Sequence, residues 1–285
     1  MKKSLYPEKE ELRNAYKSIK GVKIPSVPEV VVAIHDEVNK NDADINIIKN
    51  LIEQDPVIAG IVLKTVNSPL FGLTANIESI QQAVMIMGTK NIANMVIGSA
   101  LEKLFKGRDK ALQSIWEENN AIAFCASAIA SSIVGVSKDE GYLVGLFHNC
   151  GALLLAKKYD DYKEVIEYGK LNPVDVLAEE NKRYGSNHAV IGFILSHHWK
   201  LPQFISLAIY HHHVNSCRQI NSSKIRGLIA TIKVSSSIVD KVLFRENTFS
   251  EDIREYDNNA LAELALEDDD ITDLADELNE FIFSN

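Results

Sequence analysis

Apolar residues recur at three- and four-residue spacing along most of this chain, and no segment alternates apolar with polar residues long enough to make a strand. The pattern predicts about a dozen helices and no substantial sheet, so the fold class is all-α. Start signals stand where helices should begin. Asp55-Pro56 sets an N-cap before a proline whose missing N–H costs nothing at the first helical position. Asn172-Pro173, with Asp175 following, repeats the device, and Ser137 with Glu140 has capping-box spacing for a helix running through Ala156. Longer helical patterns cover Ile77–Leu104, Ile225–Phe244 and Leu261–Phe283. In the first, Met85, Met87 and Met95 read as core filler. In the last, Leu264, Ile271 and Leu278 recur every seven residues with Leu274 and Phe281 beside them, an acidic amphipathic face expected to dock on the protein's own body. Asn67-Ser68-Pro69 ends a helix, because proline cannot continue one.

Two interruptions organise the chain. Lys106–Lys110 is charged and contains a glycine, and Arg218–Lys224 is polar. They divide it into an N-terminal helical lobe (1–105), a second helical lobe (106–217) and C-terminal helices with an acidic tail (218–285). Asn119–Ser137 carries no charge or proline, long enough to span a bilayer. It holds two asparagines and four serines, which makes a buried core helix the expectation.

Composition narrows the function classes. With 46% hydrophobic residues in 285, the chain can bury a core. Its net charge of −9 is uneven: residues 246–285 carry fourteen acids and one arginine, leaving +4 on the rest. Such a near-neutral body argues against nucleic-acid binding. Cys125, Cys150 and Cys217 form no CxxC pair, which fits a reducing compartment and no thiolate metal site. The first residues lack the apolar core of a secretory signal, so the expected location is cytoplasmic, with no membrane partner. No glycine-rich phosphate loop supports an ATP or dinucleotide cofactor.

Histidine is where the sequence turns toward chemistry. Seven of eight lie between 148 and 213: His148, His188, His197, His198, His211, His212 and His213. Neutral imidazoles suit zinc, iron, nickel and copper, and several helices can aim them at one interior. Three of these have plainer readings: His197 and His198 as a helix C-terminus favoured by the dipole, and His213 as solvent-exposed. Cys150, beside His148, is read as an inert buried thiol.

Order and spacing of several motifs resemble the HDOD (HD-related output domain) family of bacterial signalling proteins. The match runs from Ile24-Pro-Ser-Val-Pro28 through Asp55-Pro56, Leu63–Ser68, Ile77–Ile80 with Ala83 and Gly88, and Trp116. It continues through residues 145–151, His188-Ala189 with Gly192, Trp199–Pro202 and His211-His212. The resemblance implies an N-terminal helical lobe and a second lobe related to HD metal-dependent phosphohydrolases, with His148, His188 and His211 facing one cavity.

An active HD site needs a histidine, a His-Asp pair and a distal aspartate, so that a bound cation can generate hydroxide at neutral pH. By motif position this chain has Glu118 for the first histidine and His148-Asn149 for the pair. The distal aspartate should fall within Ile229–Ser237, which holds Ser235-Ser236-Ser237 and no acid; Asp240 lies about 140° around a helix from Ser235. The expectation is therefore a degenerate site with no catalytic residue, no cofactor and no metal. Glu118, His148, Asn149, His188, His211 and His212 are its vestigial ligands, able at most to hold one divalent ion. The resulting function is a non-catalytic regulatory module that binds other signalling proteins or a nucleotide second messenger. The alternative is a divergent metal-dependent phosphohydrolase acting on a nucleotide or cyclic dinucleotide.

Overall fold

The computed structural model describes residues 4–68, 73, 76–105, 110–244 and 251–283, and among these no strand occurs. The all-α expectation holds. No helix among the described residues is long and apolar enough to cross a membrane.

The chain forms two compact units, Pro25–Gly107 and a second made of Met1–Ile24 with Arg108–Asn285. Where the sequence groups residues 1–105, the contacts thus join the first 24 residues to the second unit, and residues 218–285 belong there too.

The smaller unit contains α2 (Glu29–Val38), α3 (Ile45–Glu53), α4 (Pro56–Val66), α5 (Ile80–Met87) and α6 (Thr89–Phe105). Asp55 caps α4 as read, its carboxylate accepting from the amides of Val57 and Ile58. The pattern over Ile77–Leu104 is two helices rather than one, because Gly88 adopts φ +83° and turns the chain. That break explains the methionines: Met95 on α6 is 1% exposed, whereas Met85 on α5 is 66% exposed and fills no core. Asn67 closes α4 and brackets Ile77, accepting from its amide and donating to its carbonyl; Pro69 lies outside the described residues.

The larger unit holds α1 (Lys9–Ser18), α7 (Lys110–Ala130), α8 (Lys138–Phe147), α9 (Cys150–Ala156), α10 (Tyr162–Leu171) and α11 (Val176–Tyr184). It continues with α12 (His188–His198), α13 (Gln203–His211), α14 (Ser223–Phe244), α15 (Glu251–Leu264) and α16 (Asp268–Phe283). The apolar stretch from Asn119 supplies most of α7, a core helix packed against α8, α14 and α16. The close α7–α8 crossing depends on Gly145, where a Cβ would meet Ala123 Cα at 2.6 Å.

Three expected boundaries move. The Ser137–Glu140 capping box is present, but its helix breaks at His148-Asn149 and resumes as α9. A Cβ on Gly151 would overlap the His188 carbonyl, so α9 is angled to bring its backbone against α12. Asn172 closes α10, and α11 begins only after Asp175. The C-terminal pattern divides at Ala265, φ +54°, into α15 and α16. Leu278 is fully buried and α16 packs on α7 and α14, so this helix does dock on its own unit, with about 2 kcal/mol from that side chain alone. The Phe281 side chain lies outside the described residues.

Candidate metal centre

A cavity of about 130 Å³ lies inside the larger unit, lined from α7, α10, α11, α12 and α14, with Tyr256 and Asp257 of α15. His188, His212 and His213 enter it together; their ligating atoms lie within 4.8 Å of one another.

Each imidazole is held by its other nitrogen. His188 opens α12 behind the Asn187 cap, and both its backbone N–H and its Nδ1 donate to Glu180, at 2.8 Å each. Tyr162 donates its hydroxyl to the same carboxylate, which is 1% exposed. His212 Nδ1 donates to the Ile209 carbonyl at 2.6 Å and His213 Nδ1 to the Pro173 carbonyl at 2.7 Å. A carbonyl can only accept, so the proton of each neutral ring sits on Nδ1 and Nε2 carries a bare lone pair.

Those lone pairs face one another. His188 Nε2 is 3.2 Å from His212 Nε2 and 3.0 Å from His213 Nε2. Unprotonated nitrogens at this separation repel unless a cation lies among them. Burial and the neighbouring imidazoles push His212 and His213 well below the usual histidine range, so neither of these two rings carries a second proton near neutrality. A tetrahedral zinc with nitrogen at about 2.0–2.1 Å has an edge of roughly 3.3 Å, close to the observed spacing. Oriented imidazoles with carboxylate or carbonyl partners on Nδ1 are also how histidine ligands are fixed. The three residues fit one zinc-class ion.

The other expected ligands are distributed differently. His148 is the nearest, its ring centroid 5.4 Å from that of His212 and its Nδ1 donating to the Gly145 carbonyl at 2.6 Å. Burial pushes it down to about 4. Asn149 and Glu118 line the cavity, but Glu118 pairs with Lys170 at 3.7 Å, and burial raises its carboxyl above the usual range. His211 is not in the wall at all: its Nε2 bonds the Leu5 carbonyl at 2.8 Å. The expected His148–His188–His211 grouping is therefore corrected to His148 beside a trio of His188, His212 and His213. The reason is helical: α13 ends at His211, and the turn beyond it swings the next two residues inward. Asp240, set aside when measured from Ser235, lines the cavity with Ser236 and Ser237, four and three residues before it on the same face of α14.

Two participants escape sequence reasoning. His213, taken for a solvent-exposed residue, is a member of the trio. Glu180 has no motif, although it stands between Val176 and Tyr184 in a buried i, i+4, i+8 stripe, where a carboxylate is out of place unless it has partners.

Comparisons with known proteins give the fold a context. An uncharacterized protein of Treponema pallidum (strain Nichols) is 25% identical over 194 residues, covering 67% of this chain and 37% of that protein. This chain thus spans well under half of that relative. The crystal structure of an HDOD domain protein of unknown function from Geobacter sulfurreducens superposes with TM-score 0.68 at 22% identity, covering 95% of this chain and 98% of that one. A structure from Shewanella amazonensis SB2B, described as a candidate phosphohydrolase, gives 0.66 at 21% identity over 98% and 100%. The HDOD domain family pattern matches residues 24–215, two-thirds of the chain, and on that match this protein belongs to the HDOD family.

Proposed function

We propose that this chain is a non-catalytic regulatory module of the bacterial cytoplasm, whose HD-like lobe holds one transition-metal ion on His188, His212 and His213. The observation that carries it is the convergence of three Nε2 lone pairs whose Nδ1 partners are all acceptors. A bound ion would supply the positive charge that offsets their repulsion and would tie the start of α12 to the end of α13. Asn149 stands where a bridging carboxylate is needed, and Glu118 is engaged by Lys170, so the two-ion clamp of phosphodiester hydrolysis lacks its parts. At about 130 Å³ the cavity is also smaller than the roughly 300–1,000 Å³ of ordinary ligand sites. Partners are other signalling proteins, which meet an acidic surface where Asp269, Asp270, Asp273 and Asp276 are exposed on α16.

A second reading, a divergent phosphohydrolase, draws on one feature: Lys170 and Lys233 line the same cavity and suit an anionic substrate. Elemental analysis of untagged protein, paired with assays on bis(p-nitrophenyl) phosphate in zinc and manganese, separates the two. Near one equivalent of metal without turnover is the expected result. Turnover that disappears in His213→Ala would establish the hydrolase, and no metal after incubation with excess would end both readings.

A further inference from the structure

The larger unit carries a second cavity, of about 610 Å³, between α1 and the α12–α13 junction, and it shares no residue with the histidine cavity. Its size falls within the range of small-molecule sites. Ser206 lines it, is 2% exposed, and has no hydrogen-bond partner for its hydroxyl among the described residues. Ser99 and Ser196 bond back to their own helices, while Ser127 and Ser235 share the lack of a partner among the described residues but line neither cavity. A buried hydroxyl left unpaired is costly unless something entering the cavity meets it.

The entrance is aromatic and basic. Tyr6 and Tyr16 line it while remaining 44% and 56% exposed, and Gln203 donates to the Tyr6 hydroxyl. His197, His198 and Lys200 are exposed lining residues. On α1, Lys9, Arg13 and Lys17 are exposed at i, i+4 and i+8, the stripe next to Leu12 and Tyr16. Lys200 carries the strongest hint. Its amide bonds the His197 carbonyl and the next amide bonds Ser196, the Schellman pattern that ends α12. Lys200 occupies the left-handed position of that motif at φ +55°, where glycine is favoured. That helix cap places the cationic side chain of Lys200 in the lining of the cavity.

We infer that this cavity binds a planar aromatic anion of nucleoside-monophosphate size. Tyr6 and Tyr16 take the base, Lys200 with the adjacent histidines takes the phosphate, and the Ser206 hydroxyl reads a polar edge. The site does not depend on whether the histidine trio holds a metal.

Calorimetric titration of the full, EDTA-treated chain with AMP and with GMP tests this, with adenosine and inorganic phosphate as controls. One-to-one saturable binding of at least one monophosphate is expected, weakened about tenfold or more by Lys200→Gly and by Tyr16→Ala and unchanged in Lys182→Ala, an exposed position outside the cavity lining. Because glycine relieves the left-handed strain, Lys200→Gly should melt no lower than the wild type, which separates lost binding from lost fold. Three results would overturn the inference: no saturable binding of either monophosphate at millimolar concentration, equal binding in wild type and both cavity variants, or phosphate binding as tightly as the nucleotides.

Discussion

Two adjacent histidine pairs stand at corresponding places in this fold and meet opposite fates. His197-His198 closes α12 and is exposed; His212-His213 follows α13 and turns into a cavity. Each pair comes at the end of an apolar helix, and nothing in the neighbouring residues tells them apart. The difference is made by what the rest of the chain lays over them. Tyr256 of α15 donates to the His212 carbonyl at 3.0 Å, Lys233 of α14 donates to the Val214 carbonyl, and the Pro173 carbonyl fixes His213. Past α12 the chain makes the short turn to Leu201 beside the entrance of the second cavity. Burial then decides chemistry: the covered pair is held neutral, its protons on Nδ1 and its lone pairs on Nε2, while the open pair lines a solvent-accessible rim.

The contrast can be broken most sharply at its support. Glu180→Ala leaves the His188 Nδ1–H and the Tyr162 hydroxyl buried without an acceptor, and should cost about 3–5 kcal/mol in urea unfolding. His198→Ala on the open pair should stay within about 0.5 kcal/mol. Equal costs would mean that Glu180 organises nothing.

Acid should act next. His148 is held at about 4, below the ordinary value near 6.5, so the unfolded chain takes up its proton first as pH falls. Its contribution is complete above pH ~6.5 and disappears as pH falls toward about 4, amounting to about 3 kcal/mol in metal-free protein. His212 and His213 shift in the same direction and add to the loss. Urea midpoints in chelator at pH 7 and pH 4.5 measure it, and His148→Gln should flatten the slope. Tyr256→Phe is the gentlest of the three: it removes one hydrogen bond over the covered pair and should cost about 1 kcal/mol, with the metal site kept.

Much of this was legible along the chain, and the reasons are local ones. Asp55 before Pro56 and Ser137 with Glu140 cap as read, since the signal and the effect lie within three residues. The breaks at Gly88 and at His148-Asn149 were not, because the apolar period runs through both. Gly88 acts by a left-handed turn, and the second break answers to Gly151 meeting α12, which sequence proximity does not reveal. In the site, the motif order located His148, His188 and His212. It favoured His211 over His213, two residues apart, and the structure reverses that choice, because the turn after α13 decides which faces inward. Glu180 reaches His188 only through the α11–α12 turn, so its role belongs to tertiary structure alone.

Cobalt(II) titration followed by visible absorption compares the two pairs under one substitution. With His188, His212 and His213 as ligands, the wild type and His198→Ala should develop the same intense d–d bands, saturating near one equivalent, and His213→Ala should lose them. Bands that survive His213→Ala but vanish in His198→Ala, or no bands in the wild type, would contradict a metal centre on the covered pair.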